Sequence, residues 1–358
     1  MDDIATRKSH HASICRDRDV QKGDPGWDRY RIEAASFPEI ALSEVDTSAT
    51  FLGKHLRLPF LIGCMTGGGG VETARVNRVL AAAAEKARVG LGLGSLRVAV
   101  EDPGALDEFK VRDLCPTVPL LGNISAWQLR DRAVAGRMKE LVRELALDGV
   151  FVHVNAAHEL CQPEGERNFK GALDAVCEFA RTAKFPVLVK EVGFGLRASC
   201  VGRLVKAGVA GLDVAGAGGT SFERVEAVRT GSEGMAGVYA AMERPTVDAL
   251  LDVREAMAAM HKVKKPPVLI ASGGVRSFVH VAIALGLGAD IVSAAHPVLL
   301  AASQGEQAVV DLISSWRDGL AAVMLLASCH RPAMLRKAVM DKSYVPPYIG
   351  DDDEDDPF

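Results

Sequence analysis

The sequence predicts an α/β protein folded as a (β/α)8 TIM barrel, a single domain with an N-terminal extension and a short acidic disordered C-terminal tail. Two observations predict it. Eight short apolar runs end in small or polar residues, and amphipathic segments alternate with them along the chain. The runs are apolar at successive positions, as buried parallel strands covered by helices must be. A doubly wound open sheet is the alternative, because periodicity does not count a closed ring.

In order, the runs are Leu58–Cys64, Val89–Ser95, Val118–Ile124, Gly149–Asn155, Pro186–Val192, Gly208–Gly216, Pro267–Gly274 and Ala289–Ala295. Between them, Val71–Arg88 carries Val76, Val79, Leu80, Ala83 and Ala87 at helical spacing. Arg137–Asp148 puts Met138, Leu141, Val142 and Leu145 on one face. The same pattern predicts helices over Ala172–Thr182, Ser199–Ala207, Thr246–His261, Ser277–Leu287 and Glu306–Leu326. Residues 1–50 read as the extension, 51–342 as the barrel and 343–358 as the tail. The segment Arg224–Pro245 carries several glycines and reads as a long, mobile loop.

Composition narrows the function. The chain of 358 residues has a net charge of −4, but Asp351–Asp356 holds six of its 46 acids. Without them, 40 acids face 42 bases, so the body is nearly neutral and presents no broad nucleic-acid surface. A small basic pocket for a phosphorylated metabolite remains compatible. No apolar stretch reaches the roughly 18 residues of a membrane helix. The start lacks an apolar signal core. The seven scattered cysteines, with no C-x-x-C pair, fit a reducing cytoplasm. The expectation is a cytoplasmic protein with a small-molecule substrate and neither nucleic-acid nor membrane partners.

Active-site groups of such barrels lie at the C-terminal ends of the strands. There the chain carries Cys64-Met65-Thr66, Ser95 and Arg97, Asn123, then His153, Asn155, His158 and Glu159. It continues with Lys190 and Glu191, Gly216–Ser221, Ser272-Gly273-Gly274 and Ala294-Ala295. The last three loops point to a phosphate: glycines admit backbone N–H groups to an anion, a helix N-terminus adds its dipole, and Thr220 adds a hydroxyl. The alternative is that these glycines only make tight turns. Lys190, inside an apolar strand, is costly to bury without a partner. It reads as a cation set against an electron-rich cofactor or developing negative charge, or else as half of a buried ion pair. Glu159 can hold Mg²⁺, with Glu164 and Glu166 as rivals. The region lacks the His-x-x-x-His spacing of a zinc site. Arg7-Lys8 and His10-His11 form a basic knot near the start, which reads as a solvated end unless a phosphate-bearing ligand engages it.

From Thr6 to about Pro297 the chain resembles the FMN-dependent type 2 isopentenyl-diphosphate isomerases. The matching pieces are Arg7-Lys8-x-x-His11, MTGG at Met65–Gly68, GSLR-x-A-x-EDP at Gly94–Pro103 and GNISAWQL at Gly122–Leu129. The most specific are HVNAAHELCQPEGERNFKG at His153–Gly171 and VKEVGFG at Val189–Gly195. DVAGAGGTSF at Asp213–Phe222 and ASGGVRS at Ala271–Ser277 complete the set. The resemblance implies FMN in the barrel mouth, lined by Cys64, Met65, Thr66, Ser95, Asn123, Lys190 and Thr220. Gly273, Gly274, Ala294 and Ala295 would cradle its phosphate. Arg7, Lys8, His11 and Arg97 would meet the substrate diphosphate, and Glu159 would hold Mg²⁺. His153, Asn155, His158 and Lys190 would serve the chemistry, with His158 also touching substrate. The implied reaction moves a double bond by adding one proton and removing another, using flavin reduced by NADPH as the acid–base group. A homo-oligomer, tetramer or octamer, is implied too.

Four departures from the family pattern stand out. His158 replaces a glutamine, Leu96 a glutamine and Phe222 a tryptophan, and MERPT at Met242–Thr246 stands for W-G-I-P-T. A titratable imidazole at 158 bears on substrate choice and acid–base chemistry. Two alternatives therefore stay open: an FMN-dependent oxidoreductase of the 2-hydroxy-acid oxidase type, and a diverged flavin-binding relative without isomerase activity.

Overall fold

The computed structural model describes residues 4–65, 70–232, 237–260 and 265–343; the side chains of residues 4–9 and 12 lie outside that description. The helix α1 (Ile4–Asp17) comes first, followed by β1 (Tyr30–Ile32) and a hairpin of β2 (Ala49–Phe51) and β3 (Lys54–Leu56). Eight parallel strands follow: β4 (Phe60–Ile62), β5 (Gly90–Gly92), β6 (Leu120–Ser125), β7 (Gly149–Val154), β8 (Val187–Glu191), β9 (Gly211–Asp213), β10 (Val268–Ser272) and β11 (Ile291–Ala294). They close into a barrel in sequence order, with β11 pairing β4. Seven lie within predicted runs and β6 passes the end of its run by one residue, to Ser125, so the barrel, not the open sheet, is the fold.

Interleaved are α2 (Val71–Ala87), α3 (Arg97–Glu101), α4 (Arg132–Glu144), α5 (Ala156–Cys161), α6 (Ala172–Thr182), α7 (Ala198–Lys206), α8 (Phe222–Thr230), α9 (Thr246–Ala258), α10 (Phe278–Gly286), α11 (His296–Gln304) and α12 (Glu306–Leu326). A last strand, β12 (Val339–Asp341), pairs antiparallel with β1 and ties the N-terminal segment to the segment after α12. Among the described residues no helix is long and apolar enough to cross a membrane. The acidic run Asp351–Asp356 lies outside the described residues.

Two readings are corrected. The predicted loop Arg224–Pro245 begins inside α8, where the Ser221 hydroxyl accepts from Arg224 N–H as an N-cap; residues 233–236 of that segment lie outside the described residues. The start is not a solvated end but α1, which docks through Cys15 and Ile14 on Val225 of α8 and Leu299 of α11.

The barrel interior is layered. At its base Leu61, Leu121, Phe151, Leu188, Ile270 and Ile291 meet Phe51 and Leu56 of the hairpin, which plug the bottom. One residue pair further along, the period-2 alternation turns the same inward face polar at Asn123, His153, Lys190, Asp213 and Ser272. A packed base beneath a polar mouth is what places the chemistry.

The hairpin is pinned electrostatically. Asp148 Oδ2 accepts from Lys54 Nζ (2.8 Å), Arg112 (2.6 Å) and Leu120 N–H (2.8 Å). Burial would raise this carboxyl, but the Lys54, Leu120 and Arg112 donors outweigh it and hold it below the usual range. Its stabilisation is therefore complete above the unfolded carboxyl's value, about 3.9, and is lost as pH falls through the lower folded value. Asp148→Asn is expected to lose about 1–3 kcal/mol at neutral pH. The deficit should shrink below about pH 4, where wild type loses the same interaction. Urea unfolding at the two pH values reads both; a pH-independent deficit would count against the charge as its cause.

Candidate active site

Three neighbouring strands set the floor of the mouth. His153 on β7 pairs in register with Lys190 on β8, and Lys190 with Asp213 on β9. Asn123 Oδ1 accepts from His153 Nδ1–H at 2.6 Å, which fixes the ring. Lys190 is buried, and its Nζ donates to the Glu191 carbonyl at 2.7 Å. Asp213 Oδ2 lies 4.0 Å from that ammonium. Cys64 follows β4, and burial pushes its thiol up to about 11. It is a neutral wall of the site rather than a nucleophile. Burial also raises the Glu191 carboxyl, to about 7, against the pull of Phe194 and Val192 N–H groups, on which it holds the turn after β8.

The roof comes from three helices distant in sequence. His11 of α1 brings Nε2 to 2.7 Å from Glu226 Oε1, and His158 of α5 brings its Nε2 to 3.4 Å from the same oxygen. Glu226 Oε2 pairs with Arg229 at 2.7 Å, and Arg229 reaches Glu164 at 3.1 Å. Burial would raise Glu226, but His11 and His158 outweigh it and hold this carboxyl below the usual range. The His158 ring lies 4.6 Å from that of Phe222, and the Gln162 side chain packs beside His158 Nε2.

Two cavities open between floor and roof, of about 430 and 130 Å³. Both are bounded by His11, Cys64, Met65, Lys190, Val192 and Phe222, so they form one slot. The smaller ends at Gly273, Gly274, Ala294, Ala295 and Thr220, beside the N-terminus of α11. Gly273 has φ +105°, and a Cβ there would stand 2.5 Å from the Gly216 carbonyl oxygen. This is a turn closed so tightly that only backbone faces the ligand, the arrangement an anion needs. The larger cavity ends at Ser95, Arg97, Glu159, Glu164 and Glu166.

Most predicted site residues therefore converge. Cys64, Met65, Ser95, Asn123, His153, His158, Glu159, Lys190, Arg97 and His11 line the larger cavity. Thr220 and the Gly273, Gly274, Ala294 and Ala295 group line the smaller one. Asn155 lines neither. Its oxygen caps α5 by accepting His158 N–H at 2.7 Å, and its amide donates to the Val192 carbonyl, so it shapes the loop that carries His158 and Glu159. Thr66 and the side chains of Arg7 and Lys8 lie outside the described residues, although α1 carries residues 7 and 8. Sequence reasoning missed Glu226, Arg229 and Gln162. Ser221 followed by the acidic Glu223 was a helix-start signal that would have put Glu226 and Phe222 on one face.

The slot fits FMN: a backbone anion cradle at one end, a buried lysine at the middle, and a buried Asp213 oxygen without a hydrogen-bond partner below it. Among the described residues no three metal-ligating side chains cluster, so a cation here would rest on one carboxylate, water and phosphate, as Mg²⁺ does.

Comparison with known proteins agrees. The FMN-dependent dehydrogenase family profile matches residues 152–342. The chain is 40% identical to the isopentenyl-diphosphate delta-isomerase of Paracoccus zeaxanthinifaciens, over 93% of this chain and 95% of that one. It is 38% identical to that of a Synechococcus strain, over 93% and 97%. Among solved structures, a mutant flavocytochrome b2 with pyruvate bound superposes with a TM-score of 0.66 at 17% identity, covering 92% of this chain and 82% of that one. A Pediococcus acidilactici lactate oxidase gives 0.65 at 15%, covering 96% of each; these two likenesses establish the barrel and no more. The near full-length identity to the isomerases decides the matter: the chain belongs to the type 2 isopentenyl-diphosphate delta-isomerases, FMN flavoproteins of isoprenoid biosynthesis within the FMN-dependent dehydrogenase superfamily.

Proposed function

We propose that the slot holds FMN and the substrate diphosphate side by side, and that the barrel-mouth residues carry the conversion of isopentenyl to dimethylallyl diphosphate. The observation that carries this reading is the joining of the two cavities at Lys190, with an anion cradle at one end and Arg97 with Glu159 at the other.

Bound FMN, reduced by NADPH, supplies an electron-rich acid–base surface. The chain supplies the rest. Gly273, Gly274, Ala294 and Ala295 hold the cofactor phosphate, while Cys64, Met65, Thr66, Ser95, Asn123 and Thr220 line its length. Lys190 spends one N–H on the Glu191 carbonyl and keeps two for the cofactor. Glu159 holds Mg²⁺ against the substrate diphosphate, joined by Arg97 and, from α1, by Arg7, Lys8 and His11. The double bond moves with one proton added and one removed, so no electrons are consumed. His153 presents its Nε2 to the substrate with the ring fixed by Asn123. Met65, Trp127 and Phe222 keep water from a carbocation-like state that water would quench. All seven cysteines are unpaired, in keeping with a cytoplasmic enzyme, and the proposed assembly is the homo-oligomer, tetramer or octamer, that the sequence resemblance implies.

The test is an anaerobic assay in D₂O with FMN, NADPH, Mg²⁺ and isopentenyl diphosphate. Deuterium in dimethylallyl diphosphate supports the reading; bound, reducible flavin without product would sink it. His158→Gln should shift kcat/KM by less than about tenfold, since an amide replaces one hydrogen-bonding ring worth roughly 1 kcal/mol. A larger loss would mean that imidazole is required.

A further inference from the structure

Asp213 is a buried carboxylate on the floor of the barrel mouth, and none of the roles above uses it. It is 1% exposed. Its Oδ1 accepts from Ser272 Oγ at 2.6 Å, while Oδ2 has no hydrogen-bond partner. The nearest cation to Oδ2 is Lys190 Nζ at 4.0 Å, beyond hydrogen-bond reach and at the limit of an ion pair. The geometry is that of an ammonium held between two demands: a carbonyl at 2.7 Å fixes one N–H, and the carboxylate sits below. Around the pair stand His153 in register on β7, the Cys64 thiol, and Glu191 on the opposite face of β8. The thiol is neutral, His153 is engaged by Asn123, and Glu191 is committed to the Val192 and Phe194 N–H groups. Among the described residues Asp213 is therefore the group placed to balance the Lys190 charge.

Resting on the reading that FMN occupies the slot, we propose that Asp213 is a positioning residue that keeps Lys190 permanently protonated beneath the flavin, so that reduction of the bound cofactor draws in one proton and not two. A buried lysine without a counter-charge gives up its proton, because desolvation disfavours the ammonium. Oxidised FMN carries no charge on its ring to replace Asp213. Two-electron reduction to the anionic ring then has two routes. With Lys190 already charged, FMN takes two electrons and one proton. With Lys190 neutral, the same two electrons bring one proton to the ring and a second to the lysine amine. Burial raises the Asp213 carboxyl, and Lys190 and Ser272 oppose that rise. A pair resting in the neutral form is thus the physical alternative. Reduction would then pass the Asp213 proton to Lys190 and also take up one proton. It is told apart by the infrared carbonyl band of a protonated Asp213 in the oxidised wild type, absent from Asp213→Asn, which would overturn the proposal.

The experiment is the pH dependence of the potential of bound FMN, measured anaerobically against a reference dye during reduction by dithionite, between pH 7 and 9. The expected result is one proton per two electrons for the wild-type holoprotein and two for Asp213→Asn, with Ser272→Ala remaining at one. Two protons in the wild type, or one in Asp213→Asn, would overturn the proposal. Failure of the wild type to bind FMN would overturn the underlying reading instead. Should Asp213→Asn not retain flavin, thermal unfolding of the apoproteins still decides: Lys190→Met with Asp213→Asn should be at least as stable as either single variant. Additive losses would show that the two residues do not act as a pair.

Discussion

Glu159→Gln is expected to lower kcat/KM by roughly 10²- to 10³-fold while leaving FMN bound, the scale of losing one placed electrostatic stabiliser. Three carboxylates reach the substrate end of the slot, and their partners separate them. Glu164 is paired with Arg229, and Glu166 with Arg130. Glu159 has no cation partner among the described residues; its Oε2 accepts Glu166 N–H at 2.8 Å. An uncompensated carboxylate held by a backbone donor is what a hard divalent cation selects. Its support is rigid, since Arg167 donates to the Glu159 and Gln162 carbonyls and Asn155 caps the helix that carries it. Glutamine keeps the shape and loses the charge, so the Mg²⁺ concentration for half-maximal rate should rise while the flavin spectrum stays unchanged. An unaltered Mg²⁺ dependence would transfer the metal to Glu164 or Glu166 and break their arginine pairs.

How much of this was legible depended on whether a feature was local. The eight strands declared themselves because apolar runs such as Val187–Glu191 are buried on both faces, and polar residues at or near the ends of the runs, such as Asn123, His153 and Lys190, mark the mouth. The plug hairpin did not, because strands of three residues carry no period. Helix α1 was hidden for a different reason. Its sequence IATRKSHHASICRD has no apolar stripe, and it is held by docking on α8 and α11 and by His296 Nε2 against the Cys15 carbonyl at 3.0 Å. Glu226 was illegible as a site residue because its meaning comes from α1, α5 and α8 meeting, over more than 200 residues of sequence. Asn155 was legible as a mouth residue, but not as a cap, since both readings need the same strand-end position. Lys190 was read as either a cofactor cation or half of a buried pair, and the geometry about Asp213 makes the two readings one.

Gly273→Ala is expected to cost FMN binding at least about tenfold, and the reason is steric rather than chemical. Placing a side chain at φ +105° costs roughly 1–2 kcal/mol in itself. The added Cβ would also stand 2.4 Å from Thr246 Oγ1 and 2.5 Å from the Gly216 carbonyl oxygen, distances that force atoms to move. Thr246 is fully buried and donates to the Ala217 carbonyl at 3.0 Å, and Gly216 is itself wedged against the Thr246 backbone. Neither neighbour can yield, so the turn must, and overpacking of this kind costs about 1–3 kcal/mol. The shifted turn no longer aims its N–H groups at one point, and every 1.4 kcal/mol lost there is a factor of ten in affinity. Gly231 provides the control. It too has positive φ, +67°, but a Cβ would meet nothing within 4 Å. Gly231→Ala should therefore lose about 1 kcal/mol of stability and leave FMN affinity unchanged. Flavin fluorescence titration of both variants, with thermal unfolding alongside, separates the two causes. Equal effects on affinity would mean that backbone strain alone, and not the shape of the cradle, governs the phosphate end of the site.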